Sequence, residues 1–452
     1  MDSSRQLYGD PQVFYFGVFD GHGGEECSGY LTERLHEYIE KTSREFELQS
    51  SLERREKELQ HQVTPGQDPD ERVSKTALNA VETANGEQNT TEDPGSSRNR
   101  TSKPSQQEYH QSYPGDPPLV QEVNKGKIVS MEKKLVDDWK TLVGGYFKRF
   151  KPAYFSMFSG YQALAEPSDA LRQSGTSINA GAAIEEVLTY AFLKADLDFV
   201  AAQAAKEDEG RDMAKADRAI NDSDILGQAS RLKDQIGGPK RFKGGSTCSV
   251  ALISTPTPSP FWNPSSRSSM LIAHVGDTRI LVCSTATGNA IPLTTNHHPS
   301  SPVEGNRLRR YAATFVTDSF GEERMSGLAN TRAFGDIASK RIGVSAEPEI
   351  KRVELGAAEY AFLVLVSDGV SGTLNDQEIV DIVKEAKTPD QAARDVVNFA
   401  TEVSAEGDNA TCLVVRMGGW ERRQEGGVGS LGTKESRDWK REDAAAPRGR
   451  RG

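Results

Sequence analysis

The sequence predicts an α+β fold, in which strands and helices occur in runs rather than in strict alternation. Six short segments are dense in Val, Ile, Leu and Phe and are bounded by Gly, Asp or Pro, a pattern typical of buried strands. Four longer segments repeat apolar residues with helical spacing. Because the two kinds of segment do not alternate, the pattern favours layered α+β packing over a doubly wound parallel sheet.

The predicted elements follow one another along most of the chain. The strands are Val13–Phe19, Cys248–Ile253, Met270–Val275, Ile280–Cys283, Tyr360–Val366 and Thr411–Val415. The helices are Glu25–Glu40, Ala182–Ala205, Asn375–Ala386 and Pro389–Val403. The third helix has a clear start, because Asn375 is a favoured N-cap and Glu378, three residues later, completes a capping box.

The charge balance excludes several kinds of partner. The chain of 452 residues has 55 Lys and Arg against 66 Asp and Glu, which gives a formal net charge of −11 at pH 7. Such a balance argues against broad electrostatic binding to nucleic acid or to anionic lipid. No uninterrupted apolar run reaches the roughly 20 residues that span a bilayer. We therefore expect no nucleic-acid partner, no membrane and a monomeric protein.

Cysteine is scarce. Cys27, Cys248, Cys283 and Cys412 lie far apart without a CxxC pair, so neither a zinc site nor a disulfide framework is predicted. The first residues contain no apolar signal core and no Arg-rich amphipathic stretch. We expect a cytoplasmic or nuclear location, and a mitochondrial one if the native N-terminus is longer.

Two segments differ in composition from the rest. In Ser51–Val120, only 13 of 70 residues are hydrophobic, too few to offset the entropy of ordering the chain. We predict a disordered insert at 47–131 and a disordered, charged tail at 419–452. The remaining 1–46 and 132–418 then form one catalytic domain that the insert splits.

Acidic residues stand at the predicted strand ends. Asp20 and Asp368 each follow a buried strand and precede Gly, Asp408 precedes the last strand, and Asp277 lies in a tight turn. Each alone is typical of turn chemistry, and Asp20 is also placed to cap the next helix. Together they favour a hard cation such as Mg²⁺ or Mn²⁺, because converging carboxylates without one would repel each other.

His22 lies two residues after Asp20. At that spacing its imidazole is near enough to the predicted cation site to protonate a leaving group as a general acid. The alternative is a surface histidine in a Gly-rich turn, which would be favoured if Asp20 stood alone.

Several motifs resemble those of the metal-dependent protein phosphatases of type 2C, in the family's order. They are FGVFDGHGG (16–24), GGSTCSVALI (244–253), AHVGDTRILV (273–282), LTTNHHPSSPVEGNRL (293–308), LANTRAFGD (328–336), LVSDGV (365–370) and GDNATCLVV (407–415). The resemblance implies a four-layer αββα sandwich, two packed and mainly antiparallel sheets flanked by helices. It also implies that a water bridging two Mn²⁺ or Mg²⁺ ions hydrolyses phosphoserine and phosphothreonine in phosphoprotein substrates.

The resemblance also implies roles for individual residues. Asp20 resembles the carboxylate that bridges both metals, and Gly21 offers its backbone carbonyl to one of them. Asp368 and Asp408 resemble ligands of the other metal, and His22 resembles the family's general acid. No further cofactor is implied.

Two departures from the family pattern qualify these roles. The family's phosphate-binding Arg and its Glu-Asp pair lie upstream of the DGHGG turn, and neither Asp2 nor Asp10 matches them. The chain is then expected to be a fragment or to begin at an internal methionine. Asp277 matches one ligand of a third, weaker metal site, but Gly372 stands where the other ligand is often Asp. An alternative function is therefore a phosphatase-like binding or regulatory protein with impaired catalysis.

Three other segments have an open interpretation. Arg332 and Asp336 match a family segment to which we assign a chiefly structural role. The histidines of Asn296–Pro299 suit a metal or a turn, and the turn is favoured because no Cys, Asp or Glu lies at ligand spacing. Trp139–Phe158 suits a docking surface or a packed helix with outward Lys148 and Arg149, and we favour the helix.

Overall fold

The structure is a computed structural model that describes residues 13–49, 119–120, 125–157, 184–206, 236–255, 259–309, 315–317, 323–325, 329–404, 407–423 and 428–446. The chain divides into two compact units, one of Met1–Gln49 with Pro117–Gly452 and one of Ser50–Asp116. The second unit lies wholly outside the described residues. None of the helices in the described ranges is long and apolar enough to cross a membrane.

Two antiparallel sheets form the centre of the first unit. The first sheet has the order β1 (Val13–His22), β4 (Gly245–Ser254), β5 (Ser268–Val275) and β11 (Glu349–Leu355), and β10 (Phe334–Gly335) also pairs with β4. The second has the order β13 (Cys412–Arg416), β12 (Tyr360–Val366), β6 (Arg279–Ser284) and β7 (Ala290–Pro292). Two further two-stranded sheets pair β2 (Leu48–Gln49) with β3 (Leu119–Val120), and β8 (Phe315–Thr317) with β9 (Glu323–Met325).

The helices of the described residues lie around these sheets. They are α1 (Glu26–Glu45), α2 (Lys125–Leu142), α3 (Ile184–Ala205), α4 (Pro302–Arg309), α5 (Asp368–Ser371), α6 (Asp376–Glu385), α7 (Pro389–Val403) and α8 (Val428–Ala445). Short 3₁₀ helices occur at Gly145–Arg149, Lys340–Ile342 and Trp420–Arg422. The predicted capping box is present, because the Asn375 side chain accepts from the Glu378 N–H while the Glu378 carboxylate accepts from the Asn375 N–H.

Three hydrophobic clusters hold these elements in four layers. Between the sheets, Val18, Ala251 and Ile272 of the first sheet pack with Leu363 and Leu365 of the second. The residues of β12 that alternate with these, such as Phe362 and Val364, point to the other face of the sheet and pack with α6 and α7. Helices α1 and α3 cover the outer face of the first sheet. Alternation along the strands thus lets each sheet bury both faces, and the predicted αββα sandwich is confirmed.

The aromatic segment Trp139–Phe158 packs inward, as the helix interpretation predicts. Trp139 lies in the last turn of α2 and contacts Phe147, and their rings stack with centroids 4.4 Å apart. Both residues are fully buried in a cluster with α3, while Lys148 and Arg149 are exposed. Residue 158 lies outside the described residues.

The insert is shorter than predicted at its C-terminal end. Helix α2 begins at Lys125 rather than after residue 131, and Ile128 is fully buried. That part of the prediction is wrong because Ile128 and Met131 supply the apolar face of the first turns of α2. The predicted disordered residues 50–118 and 121–124 lie outside the described residues.

The prediction of a disordered tail at 419–452 is wrong for residues 428–445, which form α8, while residues 424–427 and 447–452 lie outside the described residues. Among its described side chains, this helix contacts α6 and α7 through ion pairs. Lys440 donates to the Glu378 carboxylate at 2.7 Å and to the Thr373 carbonyl at 2.8 Å, and Arg437 pairs with Glu385 at 2.7 Å. Composition alone suggests disorder here, because it does not show that the basic residues of the tail pair with acidic residues about 60 positions earlier in the chain.

The ion pair between Lys440 and Glu378 predicts a measurable contribution of α8 to stability. Glu378 is fully buried, so Lys440→Met would leave a buried carboxylate without its cation. We expect the free energy of unfolding to fall by about 1–3 kcal/mol. Urea unfolding would measure it, with Lys434→Met, an exposed position on the same helix, as the matched control. Equal stability of the two variants would contradict the packing described for α8.

A second buried pair, Glu132 of α2 and Glu186 of α3, joins two helices through a shared partner. The Ser156 N–H donates to Glu132 at 3.0 Å and to Glu186 at 2.9 Å. Both glutamates are buried, and burial together with Glu186 raises the pKa of Glu132 well above its ordinary value. Glu132 therefore folds with a bound proton that the unfolded chain gives up near neutral pH.

This proton predicts the direction of a pH dependence. A carboxyl group whose pKa is raised on folding stabilises the fold below its unfolded pKa, and that stability is lost as pH rises towards the folded pKa. We expect Glu132→Gln to gain stability over wild type by up to about 1.4 kcal/mol per pH unit between the ordinary pKa of 4.5 and the raised pKa of about 9. Urea unfolding at several pH values would measure the difference. If the stability difference depended on pH no more than that of the exposed control Glu33→Gln, the result would contradict a proton bound to Glu132.

Candidate metal centre and active site

Asp20 lies inside β1 rather than at its end. The strand pairs with β4 through Asp20 opposite Thr247, Gly21 opposite Ser246 and His22 opposite Gly245. The predicted strand end at Phe19 is thus too early, because β4 begins at Gly245 and supplies partners up to His22. Gly21 has no room for a side chain, since a Cβ there would lie 2.4 Å from the Ser28 Oγ. This close approach of α1 fixes the strand that carries both Asp20 and His22.

Asp20 and Asp368 meet where the two sheets come together. Asp368 begins α5 directly after β12, and its backbone N–H donates to Asp20 Oδ2 at 3.3 Å. Burial and the neighbouring Asp368 raise the pKa of Asp20 to about 8. Two carboxyl groups from different sheets are therefore held together at the same place.

Asp277 belongs to the same electrostatic cluster. It occupies the turn between β5 and β6, and burial followed by the charge of Asp368 raises its pKa. The Asn330 side-chain amide donates to Asp277 Oδ2 at 2.8 Å. Sequence reasoning did not single out Asn330, although it lies inside the segment LANTRAFGD. Its only signal in the sequence was that placement.

His297 holds the turn before Asp277. The ring Nδ1 of His297 accepts from the Gly276 N–H at 3.0 Å, and the backbone N–H of His297 donates to the Gly276 carbonyl at 2.8 Å. The ring is buried and stacks on His274, with centroids 4.7 Å apart. The structural role favoured for this histidine therefore agrees with its contacts.

Asp408 stands apart from the other three carboxylates. Its side chain is exposed and accepts from the Asn409 N–H at 2.8 Å. The next residue packs closely, because a Cβ on Gly369 would lie 2.1 Å from the Asn409 carbonyl oxygen. The backbone beside Asp408 is thus tied to the start of α5, while the carboxylate itself faces solvent.

His22 forms an ion pair with Asp336. Its Nε2 lies 2.9 Å from each carboxylate oxygen of Asp336, which follows β10. Burial lowers the pKa of His22, but Asp336 outweighs this effect and leaves the pKa raised. The chiefly structural role assigned to Asp336 is therefore incomplete, since it also contacts His22. Arg332 does pack structurally, with Nη2 2.7 Å from the Glu304 carboxylate.

The donor set at this site suits a hard cation. Asp20, Asp277 and Asp368 offer oxygen atoms only, and the pKa of Asp20 and of Asp277 is raised by burial and by Asp368. A divalent cation would supply the missing positive charge. Within the described ranges, no three His, Cys, Asp or Glu side chains already form a group that could hold a metal. The fit rests on the chemistry of these carboxylates rather than on a completed coordination shell.

Known proteins resemble this chain in sequence. The family model described as Protein phosphatase 2C matches residues 157–409, more than half of the chain. "Protein phosphatase 2C homolog 4" of Schizosaccharomyces pombe is 36% identical over 306 residues, which cover 66% of this chain and 67% of that protein. "Protein phosphatase 1K, mitochondrial" of Xenopus laevis is 37% identical over 160 residues, which cover 35% of this chain and 42% of that protein.

A solved structure, the serine-threonine phosphatase 2C from Toxoplasma gondii, is 16% identical with a TM-score of 0.38. The match covers 64% of this chain and 81% of that one. The family match includes Asp277, Asp368 and Asp408, whereas Asp20 and His22 lie before it.

Proposed function

Because the chain belongs to the protein phosphatase 2C family, we propose that it hydrolyses phosphoserine and phosphothreonine in proteins with the help of Mn²⁺ or Mg²⁺. One observation carries the proposal. Asp20 of the first sheet meets Asp368, which follows the second sheet, and the His22–Asp336 pair lies two residues further along β1. This arrangement supports a metal site with an acid beside it.

The proposed ligands divide between the two sheets. Asp20 and the Gly21 carbonyl would hold the cations from the first sheet, and Asp368 and Asp408 from the second. Asp277 would serve a third ion. When bound, such cations activate a water molecule for attack on phosphorus and neutralise charge on the phosphoryl oxygens. The Asn330 amide keeps the Asp277 carboxylate in place.

His22 is the proposed general acid. A carboxylate only accepts hydrogen bonds, so the Nε2 of His22 donates to Asp336 and the Nδ1 remains for the substrate. In the charged imidazolium, Nδ1 also carries a proton, which passes to the serine or threonine oxygen as its bond to phosphorus breaks. Asp336 stabilises that imidazolium and orients the ring.

A second candidate is a binding or regulatory protein with this fold and impaired catalysis. It is favoured by one observation, that the Asp408 carboxylate is exposed and bonded to its own neighbour rather than drawn towards Asp368. The two candidates differ in whether the chain releases phosphate.

Phosphate release from a phosphothreonine peptide tests the proposal. The chain would be assayed with Mn²⁺, with EDTA, and as the Asp368→Asn variant. We expect release that requires the metal and is lost in the variant. A folded chain that releases no phosphate with Mn²⁺ would overturn the proposal in favour of the second candidate.

A further inference from the structure

One buried ion pair is not accounted for by the roles above. Asp196 of α3 and Lys340 are both fully buried, and Lys340 Nζ lies 2.5 Å from Asp196 Oδ2. Removing two charges from water costs several kcal/mol for each ion, so a buried pair is weak evidence for stability. Its contacts therefore matter more than its charge.

Both members of the pair also bind the backbone of one segment. The Gly335 N–H donates to Asp196 Oδ1 at 2.8 Å, and Lys340 Nζ donates to the Ala333 carbonyl at 2.8 Å. The segment 333–340 is thus tied to α3 at Gly335 and at Lys340, and Lys340 also ties the end of the segment to its start at Ala333. Both oxygen atoms of the Asp196 carboxylate accept hydrogen bonds in these contacts.

The segment holds Asp336 in a backbone conformation that it would not adopt freely. Asp336 has a φ of 45°, in the left-handed region that costs an L-residue roughly 1–2 kcal/mol. Its N–H donates to the Gly244 carbonyl at 2.9 Å. A strained residue of this kind persists only where its surroundings determine it, and here they include the Asp196–Lys340 pair next to it.

This conformation directs the Asp336 carboxylate at His22. Each carboxylate oxygen lies 2.9 Å from His22 Nε2. The approach also needs a glycine in β4, because a Cβ on Gly245 would lie 2.6 Å from Asp336 Oδ2. A continuous set of contacts therefore runs from Asp196 through Gly335 and Asp336 to His22.

We propose that Asp196 and Lys340 are positioning residues for the acid step: they hold Gly335 and Asp336 so that Asp336 orients His22 towards the leaving group. The inference rests on the proposed phosphatase function and adds to it two residues that touch neither substrate nor metal. Replacing Asp196 and Lys340 should lower the rate most for substrates whose leaving oxygen must receive a proton. A general loss of structure would affect all substrates alike.

The test uses the double variant Asp196→Asn with Lys340→Met, which leaves no buried charge unpaired. With Mn²⁺, kcat would be compared for a phosphothreonine peptide and for p-nitrophenyl phosphate, whose leaving group departs without a proton. We expect kcat for the peptide to fall about 10-fold to 100-fold further than kcat for p-nitrophenyl phosphate. Adding the double variant to His22→Ala should cause no further selective loss, because both act through the same group.

A matched control lies on the same helix. Glu185 of α3 pairs with Arg352 at 2.7 Å, away from the 333–340 segment. The variant Glu185→Gln with Arg352→Met should change both substrates by the same factor. Equal factors for the two substrates in the Asp196–Lys340 variant as well would overturn the inference.

A second measurement separates this inference from the proposed function. NMR would follow the hydrogen-bonded Nε2–H proton of His22, assigned by its absence in His22→Gln. We expect the signal in wild type and in the Glu185–Arg352 control, and its loss or exchange broadening in the Asp196–Lys340 variant. If wild type hydrolyses neither substrate, the proposed function fails, and an unchanged signal in the variant would still decide against positioning.

Discussion

Replacement of Asp20 by asparagine is expected to abolish metal-dependent phosphate release while making the metal-free chain more stable. Asp20 is the carboxylate that meets Asp368, and in the proposed centre loss of its charge would remove much of the cation's binding energy. Several kcal/mol of transition-state stabilisation correspond to about a thousandfold in rate. The same change removes a carboxyl group whose pKa is raised to about 8 and which destabilises the metal-free fold above its ordinary pKa, so we expect about 1 kcal/mol to be added to the free energy of unfolding near neutral pH.

Steady-state phosphate release and urea unfolding in EDTA would measure the two effects of Asp20→Asn. Asp376→Asn is the matched control, because Asp376 pairs with Arg279 at 2.6 Å and is not part of the carboxylate cluster. The control should lose stability and keep its activity, the reverse of Asp20→Asn. An Asp20→Asn variant that is as active as wild type, or less stable without metal, would contradict the proposed centre.

Replacement of His22 by alanine is expected to slow hydrolysis selectively. A positioned general acid contributes about 10²–10⁴ in rate where the leaving oxygen needs a proton. The loss should therefore be of that size for a phosphothreonine peptide and small for p-nitrophenyl phosphate. Asp336→Asn should show the same selectivity with a smaller loss, because it keeps an acceptor for Nε2 but not the negative charge.

Rates for both substrates would be measured at saturating Mn²⁺. His298→Ala is the control, since this histidine is only half-buried and its side chain bonds to the nearby Ser300 rather than to any of the proposed site residues. It should match wild type on both substrates. A His22→Ala variant that slows both substrates equally would assign His22 to the metal site or to the fold rather than to proton transfer.

Local patterns predicted individual strands and helices of the fold. The Asn375–Glu378 capping box and the dense apolar strand Tyr360–Val366 depend on residues within a few positions of each other, and both are present in the structure. Alternation within β12 places Phe362 and Leu363 on opposite faces, and each face is covered by another layer. Features of this kind follow from periods of 2 and 3.6 residues.

Contacts between distant residues were not predictable in the same way. The pairing of β1 with β4 continues past Asp20 because residues more than 200 positions away supply the partners. Asp336 meets His22 across 314 positions, and the buried Lys340 finds Asp196 across 144. Helix α8 is stabilised by charges on α6 in the same manner. A composition rich in charge indicates solvent exposure, and only the tertiary arrangement shows that the charges are matched.

Calorimetric titration of the metal-free chain with Mn²⁺ tests the central claim that carboxylates of the two sheets bind cations together. The account predicts saturable binding to wild type, a large loss of affinity in Asp20→Asn and in Asp368→Asn, and unchanged affinity in Asp376→Asn. Binding of equal affinity in wild type and in both site variants would contradict the claim.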